Sequence, residues 1–404
     1  MVDSLPMDDV RWSLLARLAV HGANVQPGQV VIVTAELEQR ELAIAVAAAA
    51  YERGAKFVDV GWFDVGLKRE RVAHADPDTL SFVPDWYGSR LLDHAEGRGA
   101  RVSLAGPTAP DALAGLDPAL VGRDRLPWLA ETGRVIAERK SNWTIVPCPH
   151  PAWAALAHPE LAPGEAYERL WQEVEHVLRL DEPDPEAAWE ERMEVLVDSA
   201  RRLSERRFDA IRLTGPGTDL TVGLFGSGTW MAASFETVDG LRHYPNLPTE
   251  EVFTTPDPAR TEGHVTSTKP LVLRDGTIIR GLRVRFEGGR AVEVDADENV
   301  DALRSALAAD ENALRLGELA LVDGRGRIGP LGTVFYETLF DENAASHVAL
   351  GSGFPFLVEG DDAARVNDSG VHVDFMIGSP ELDVDGVAAD GTRVPVLRGG
   401  SWQI

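Results

Sequence analysis

The sequence predicts two domains: an N-terminal α/β domain on a largely parallel sheet, residues 1–207 including a helical bridge, and a C-terminal α+β domain with a mainly antiparallel sheet, residues 208–404. Three observations predict this. Short apolar strands alternate with helical stretches as far as Val146, hairpin turns punctuate the chain after Phe208, and 404 residues at 44% hydrophobic composition can bury more than one core.

Between Asp9 and Val20, the residues Trp12, Leu14, Leu15, Leu18 and Ala19 recur at helical spacing. The turn Gln26-Pro27-Gly28-Gln29 then leads into Val30-Val31-Ile32-Val33, an unbroken apolar run that suits a buried strand. A helix is expected over the alanine-rich Glu38–Arg53 with Gly54 as its stop, followed by a strand at Phe57-Val58-Asp59-Val60. Val102–Ala105 and Trp143–Val146 repeat the pattern, and strands separated by helices pair in parallel through crossovers. Neither glycine-rich phosphate-binding turn, G-x-G-x-x-G or G-x-x-x-x-G-K-[ST], occurs in this half, so nucleotide binding is not expected. His74, His94, His150 and His158 are scattered through it and read as surface or structural histidines.

From Pro163 to Arg207, Tyr167, Leu170, Trp171, Val174, Val177 and Leu178 fall three and four apart before the break Asp181-Glu182-Pro183-Asp184-Pro185. Two helices follow, the second from about Pro185 to Arg206, and together they bridge the domains. Beyond Phe208 the segments shorten. Gly215-Pro216-Gly217 separates Ala210–Leu213 from Asp219–Val222, Asp275-Gly276 separates Leu271–Leu273 from Thr277–Ile279, and Gly288-Gly289 separates Leu282–Phe286 from Ala291–Val294. A helix over Glu298–Ala309 and strands at Leu316–Val322 and Asp374–Ile377 complete the domain.

Charge narrows the function. The 65 acidic and 39 basic residues give a net charge of −26, which opposes attraction to nucleic acid or an anionic membrane. Cys148 is the only cysteine, so an intrachain disulfide and a cysteine-based zinc cage are both excluded. Met1–Pro6 lacks a basic run before an apolar stretch, and no apolar span approaches the roughly 20 residues of a membrane helix. A cytoplasmic protein is expected.

Chemistry concentrates late in the chain. Leu339-Phe340-Asp341-Glu342-Asn343-Ala344-Ala345-Ser346-His347 sets two carboxylates, an amide and an imidazole beside an apolar lead-in. Buried groups of this kind need a compensating charge, and a metal ion bound by oxygen and nitrogen supplies it. His372 and Asp374, two apart in an apolar strand, leave the same face. Glu318 lies inside the apolar run Leu316–Val322, although an outward-facing strand glutamate would explain it too. Glu250 and Glu251 follow Pro248-Thr249, so that only one of them faces a given ion; the competing reading is a helix capped by Thr249. Glu342 and His347 are five apart and serve one site if the acidic pair precedes a helix that carries His347, with Asp341 as a possible N-cap. Glu250, Glu318, Glu342, His347, His372 and Asp374 then offer four carboxylates and two imidazoles, more than one tetrahedral zinc uses, and two carboxylate-bridged ions fit better. Such a centre hydrolyses peptide or ester bonds, and phosphomonoesters remain open.

These segments resemble the M29 family of metalloaminopeptidases. The resemblance rests on Gly215-Pro216-Gly217-Thr218-Asp219-Leu220, Asn246 through Thr254, Leu316-Gly317-Glu318, Leu339 through His347, and Asn367-x-Ser369-x-x-His372-x-Asp374-Phe375-Met376-Ile377-Gly378. Gln26-Pro27-Gly28-Gln29 and Tyr51–Val58 extend it into the N-terminal half. The resemblance implies a two-domain homodimer with two divalent ions in the C-terminal domain, zinc or cobalt, with magnesium or manganese as alternatives, that removes N-terminal residues from short peptides. It places the metal ligands at Glu250, Glu318, His347, His372 and Asp374, with Glu342 at a further acidic position. It also implies attack by metal-bound hydroxide on the first peptide carbonyl, with Glu251 or Glu342 as proton shuttle. Seven residues after His347 the family pattern has a tyrosine, where this chain has Phe354. Loss of that hydroxyl opens an alternative: a member with reduced or lost peptidase activity that binds metal and peptide, or acts on another amide or ester.

Overall fold

The computed structural model describes residues 7–127, 129–273 and 276–404; Met1–Pro6 and Asp275 of the expected Asp275-Gly276 turn lie outside them. The chain forms two compact units, one of residues 1–190 with 234–248 and one of 191–233 with 249–404. The chain crosses between them three times, where the sequence predicts a single boundary at residue 207.

In the first unit, α1 (Met7–Gly22), β1 (Val30–Glu36), α2 (Arg40–Glu52) and β2 (Phe57–Phe63) are followed by β3 (Ala100–Ala105) and β4 (Asn142–Pro147). The sheet has the order β2-β1-β3-β4 and every pair is parallel, as the strand-helix alternation requires. Val31, Val33 and Val102 of the sheet are fully buried, and Leu15, Leu18, Leu42 and Val46 of the helices are buried as well. Each such side chain contributes about 1.5–3 kcal/mol by leaving water. Helix α3 (Pro163–Val177) starts on a proline, whose missing N–H costs nothing in the first turn, and buries Leu170, Trp171, Val174 and Val177. The segment 234–248 joins this unit because the rings of Phe235 and His243 pack on Trp143 of β4, with centroids 6.3 and 6.1 Å away, and Asn246 bridges to Ile145.

Within α4 (Pro185–Arg206) the chain enters the second unit. There β5 (Ala210–Gly215), β6 (Thr218–Leu224), β7 (Met231–Ala232), β8 (Glu251–Thr254), β9 (Pro256–Thr266), β10 (Leu271–Val272), β11 (Ile278–Ile279), β12 (Arg283–Glu287) and β13 (Arg290–Asp295) precede α5 (Val300–Leu307). Then come β14 (Leu316–Val322), α6 (Thr338–Glu342), β15 (His347–Gly351), β16 (His372–Met376), β17 (Asp383–Val387), β18 (Arg393–Arg398) and β19 (Ser401–Trp402). The eight-stranded sheet β13-β12-β9-β6-β5-β17-β18-β19 and the five-stranded sheet β16-β15-β14-β8-β7 are antiparallel throughout. Gly288 and Gly289, at φ +54° and +78°, make the β12–β13 turn in a backbone region that other residues avoid.

One expectation is corrected here. No helix begins after Asp341 and carries His347. The helix comes first: Glu337 caps α6 by accepting from the Phe340 N–H at 3.2 Å, α6 ends at Glu342, and His347 opens β15. The reason is tertiary, since β15 is paired on both sides, by β14 and by β16, and is buried at all five residues.

Candidate metal centre

Strand parity builds the site. In an antiparallel sheet, paired residues share a face, as do residues two apart along a strand. Glu318 pairs with Ala349 and Ala349 with Asp374; Phe253 pairs with Ala320, Ala320 with His347 and His347 with Met376. Glu251, Glu318, His347, His372 and Asp374 therefore leave one face of the five-stranded sheet. The opposite face carries Val252, Leu319, Leu321, Val348, Leu350 and Phe375, all fully buried. A bulge at Gly317 sets the register of Glu318, and a Cβ there would stand 2.2 Å from the Ser352 carbonyl.

The donors form two groups that share one residue: Glu251, Glu318 and His347, and Glu318, His372 and Asp374, with donor atoms within 4.8 Å of one another in each. Glu318 presents Oε1 to His347 Nε2 at 4.0 Å and Oε2 to His372 Nε2 at 3.1 Å. Glu251 Oε2 lies 3.2 Å from His347 Nε2, and Asp374 Oδ1 lies 3.2 Å from His372 Nε2. Donors bound at about 2.1 Å around a tetrahedral ion sit roughly 3.4 Å apart, so these spacings suit a metal.

Two further observations test the fit. Glu251 Oε2 and Asp374 Oδ1 are buried without a hydrogen-bond partner, although each is close to an imidazole: the spacing is right and the alignment is not. Each imidazole is also anchored at its other nitrogen, His347 Nδ1 by the Ala345 carbonyl at 3.2 Å and His372 Nδ1 by the Ser352 carbonyl at 2.8 Å, which aims both Nε2 atoms at the carboxylates. The residues fit divalent ions. The second group reaches solvent at His372, whose side chain is 25% exposed, while Glu251 and His347 are buried.

Glu342 joins neither group, yet the charges of both bear on it. Burial first, then Asp374 and Glu251, hold its carboxyl well above the usual carboxylate range. Burial raises Glu318 in the same way, with Glu251 and Asp374 adding to it against His372. Burial opposes charge on the imidazoles, but Glu251, Glu318 and Asp374 override it and hold His347 up at about 10; Asp374 and Glu318 likewise raise His372. Burial also opposes the Asp374 carboxylate, and His372 and His347 reverse this and lower it. Protons are thus favoured on the two imidazoles and on the Glu318 carboxyl, and a metal ion binding there would displace them. Because His347 is held up at about 10 and His372 is raised in the same direction, metal binding at pH 7 is expected to release protons and to tighten as pH rises. The gain is about tenfold per pH unit for each proton displaced. Calorimetry in buffers of different ionisation enthalpy checks this; affinity unchanged between pH 6.5 and 8.5 would contradict it.

Of the residues expected at the site, Glu318, His347, His372 and Asp374 come together, and Glu251 stands with them. Glu250 does not. It precedes β8, one residue out of phase with Glu251, and its Oε2 accepts from Arg192 Nε at 2.5 Å in a fully buried pair. Arg192 also forks onto Asp323, Nη2 to Oδ1 at 2.8 Å and Nη1 to Oδ2 at 3.2 Å. Burial opposes the Asp323 charge, but Arg192 holds its carboxyl below the usual range. Sequence reading missed Arg192 and Asp323; a charged residue within an amphipathic helix gives no local sign that it is buried.

The sheet and its donor set define a candidate metalloprotein. Residues 9–402 match the family described as "Thermophilic metalloprotease (M29)". The chain is 43% identical over 400 residues to aminopeptidase T of Thermus aquaticus, covering 96% of this chain and 98% of the relative. It is 37% identical over 399 residues to aminopeptidase 2 of Geobacillus stearothermophilus, covering 96% of each. The solved structure of wild-type AmpT from Thermus thermophilus superposes with a TM-score of 0.90 at 42% identity, covering 98% of this chain and 99% of that one. A dihydroxypyridine dioxygenase from Pseudomonas putida shares the fold alone, with a TM-score of 0.56 at 12% identity over 98% of both chains. The chain belongs to the M29 family of metalloproteases. Among the described residues no helix is long and apolar enough to cross a membrane.

Proposed function

We propose that this chain is a metal-dependent aminopeptidase that hydrolyses the N-terminal peptide bond of short peptides at a centre of two divalent ions, zinc or cobalt. The observation that carries the reading is Glu318, which turns one oxygen to each donor group as a bridging carboxylate does. The aminopeptidase relatives support the choice of substrate. When bound, two such ions supply polarisation of a carbonyl and a low pKa for water at neutral pH.

The chain's own residues do the rest. Glu251, Glu318 and His347 would hold one ion, and Glu318, His372 and Asp374 the other. Glu250, committed to Arg192, is left out of the ligand set. Glu342 is the proton shuttle, because it belongs to neither group while burial and the carboxylates of both raise its carboxyl, which suits it to pass a proton from the attacking water to the leaving amine. Protein loaded with cobalt or zinc is expected to release p-nitroaniline from leucyl-p-nitroanilide and to cleave dipeptides. If both stay intact, the proposal falls.

Phe354 favours a second reading. Its ring lies 5.7 Å from that of His372 and packs on Phe253 and Phe356, at 5.4 and 5.6 Å, so an apolar edge stands where the family pattern has a hydroxyl. If that hydroxyl stabilises the tetrahedral oxyanion, Phe354→Tyr raises turnover on the order of 10²-fold with metal content unchanged. High turnover in the wild type with no gain in the variant removes this reading.

A further inference from the structure

Beneath the donor groups, the residues next to the donors in sequence make a buried hydrogen-bond network of their own. Glu250 precedes Glu251, Asn343 follows Glu342, Ser346 precedes His347, and Asp323 follows Val322, the β14 partner of Glu251. The Glu250 N–H donates to Asn343 Oδ1 at 2.6 Å, and Asn343 Nδ2 donates to the Leu339 carbonyl at 2.9 Å and towards Glu342 Oε1 at 3.4 Å. The Val322 N–H donates to Ser346 Oγ at 3.0 Å. Arg192, 7% exposed, closes the network by gripping Glu250 and Asp323 together. Its guanidinium thus ties the start of β8 to the end of β14, the two strands that carry Glu251 and Glu318.

We propose that Arg192 and Asn343, acting through Glu250, are positioning residues for one ion only: the one held by Glu251, Glu318 and His347. This rests on the two-ion reading above. A planar fork that bonds two carboxylates fixes their separation, and a residue bonded on its backbone N–H and its side chain cannot rotate to redirect its neighbour. None of these bonds reaches β16, which brings His372 and Asp374; of the second group only Glu318 lies on a strand the network holds, and Glu318 is fixed in its own right by the bulge at Gly317 and its pairing with Ala349. The network also gives the amide of the Leu339–His347 stretch its task, which is to join α6, with Glu342, to the strand of Glu251.

Cobalt(II) titration by calorimetry, with anomalous occupancies in crystals soaked at limiting cobalt, tests the proposal. Wild-type protein takes up two ions. In Arg192→Met the ion at Glu251, Glu318 and His347 weakens by about 10- to 100-fold while the other keeps its affinity. Arg192→Lys, a point charge without a fork, falls between. Asn343→Ala leaves the Arg192–Asp323 pair intact and is expected to show the same selective loss, so it decides the matter if Arg192→Met does not fold. Two ions in wild type that weaken equally in the variants, or not at all, overturn the positioning role. Fewer than two ions in wild type overturn the two-ion reading and the proposal with it.

Discussion

Glu318→Gln is expected to abolish tight binding of both ions and to lower turnover on the order of 10³-fold, since a metal supplies several kcal/mol of transition-state stabilisation and each 1.4 kcal/mol is a factor of ten. The size follows from position. Every other donor belongs to one group, but Glu318 belongs to both, with Oε1 towards His347 and Oε2 towards His372. An amide keeps the volume in a strand buried at every residue, so the fold is expected to survive. Metal content by atomic emission, measured beside turnover of leucyl-p-nitroanilide, checks it. A variant that retains two ions would show that Glu318 is not the bridge.

Glu251→Gln and Glu250→Gln, neighbours in sequence, are expected to differ in kind. Glu251→Gln removes a donor from the first group; one ion is lost and turnover falls on the order of 10²-fold or more. Glu250→Gln weakens a fully buried ion pair with Arg192, costing up to about 3–5 kcal/mol of stability, yet two ions still bind at saturating metal. Thermal unfolding and metal stoichiometry separate the two effects. Loss of an ion in Glu250→Gln with both kept in Glu251→Gln would put Glu250, not Glu251, on the donor face of the sheet.

That pair shows where sequence reading stops. The period of two along a strand was legible for His372 and Asp374, and an isolated carboxylate in an apolar run was legible as Glu318. Choosing between Glu250 and Glu251 was not, because the choice depends on which residue opens β8 and on its pairing with Val322 of β14. His347 was misplaced on a helix for a related reason: its strand is defined by partners on both sides, not by its own residues. The parallel sheet and the hairpins were readable because local turn chemistry and apolar runs specify them. The return of residues 234–248 to the first unit was not, since it rests on rings meeting Trp143 from a distant part of the chain. Arg192 was hidden in the same way, a charged helical residue whose partners arrive from β8 and β14.

A crystal structure of the metal-replete protein, with anomalous scattering recorded at the metal edge, tests the central claim most directly. Two peaks are expected, one among Glu251, Glu318 and His347 and one among Glu318, His372 and Asp374, with the Glu318 carboxylate between them. A single peak, no peak, or an ion bound by Glu250 would contradict it.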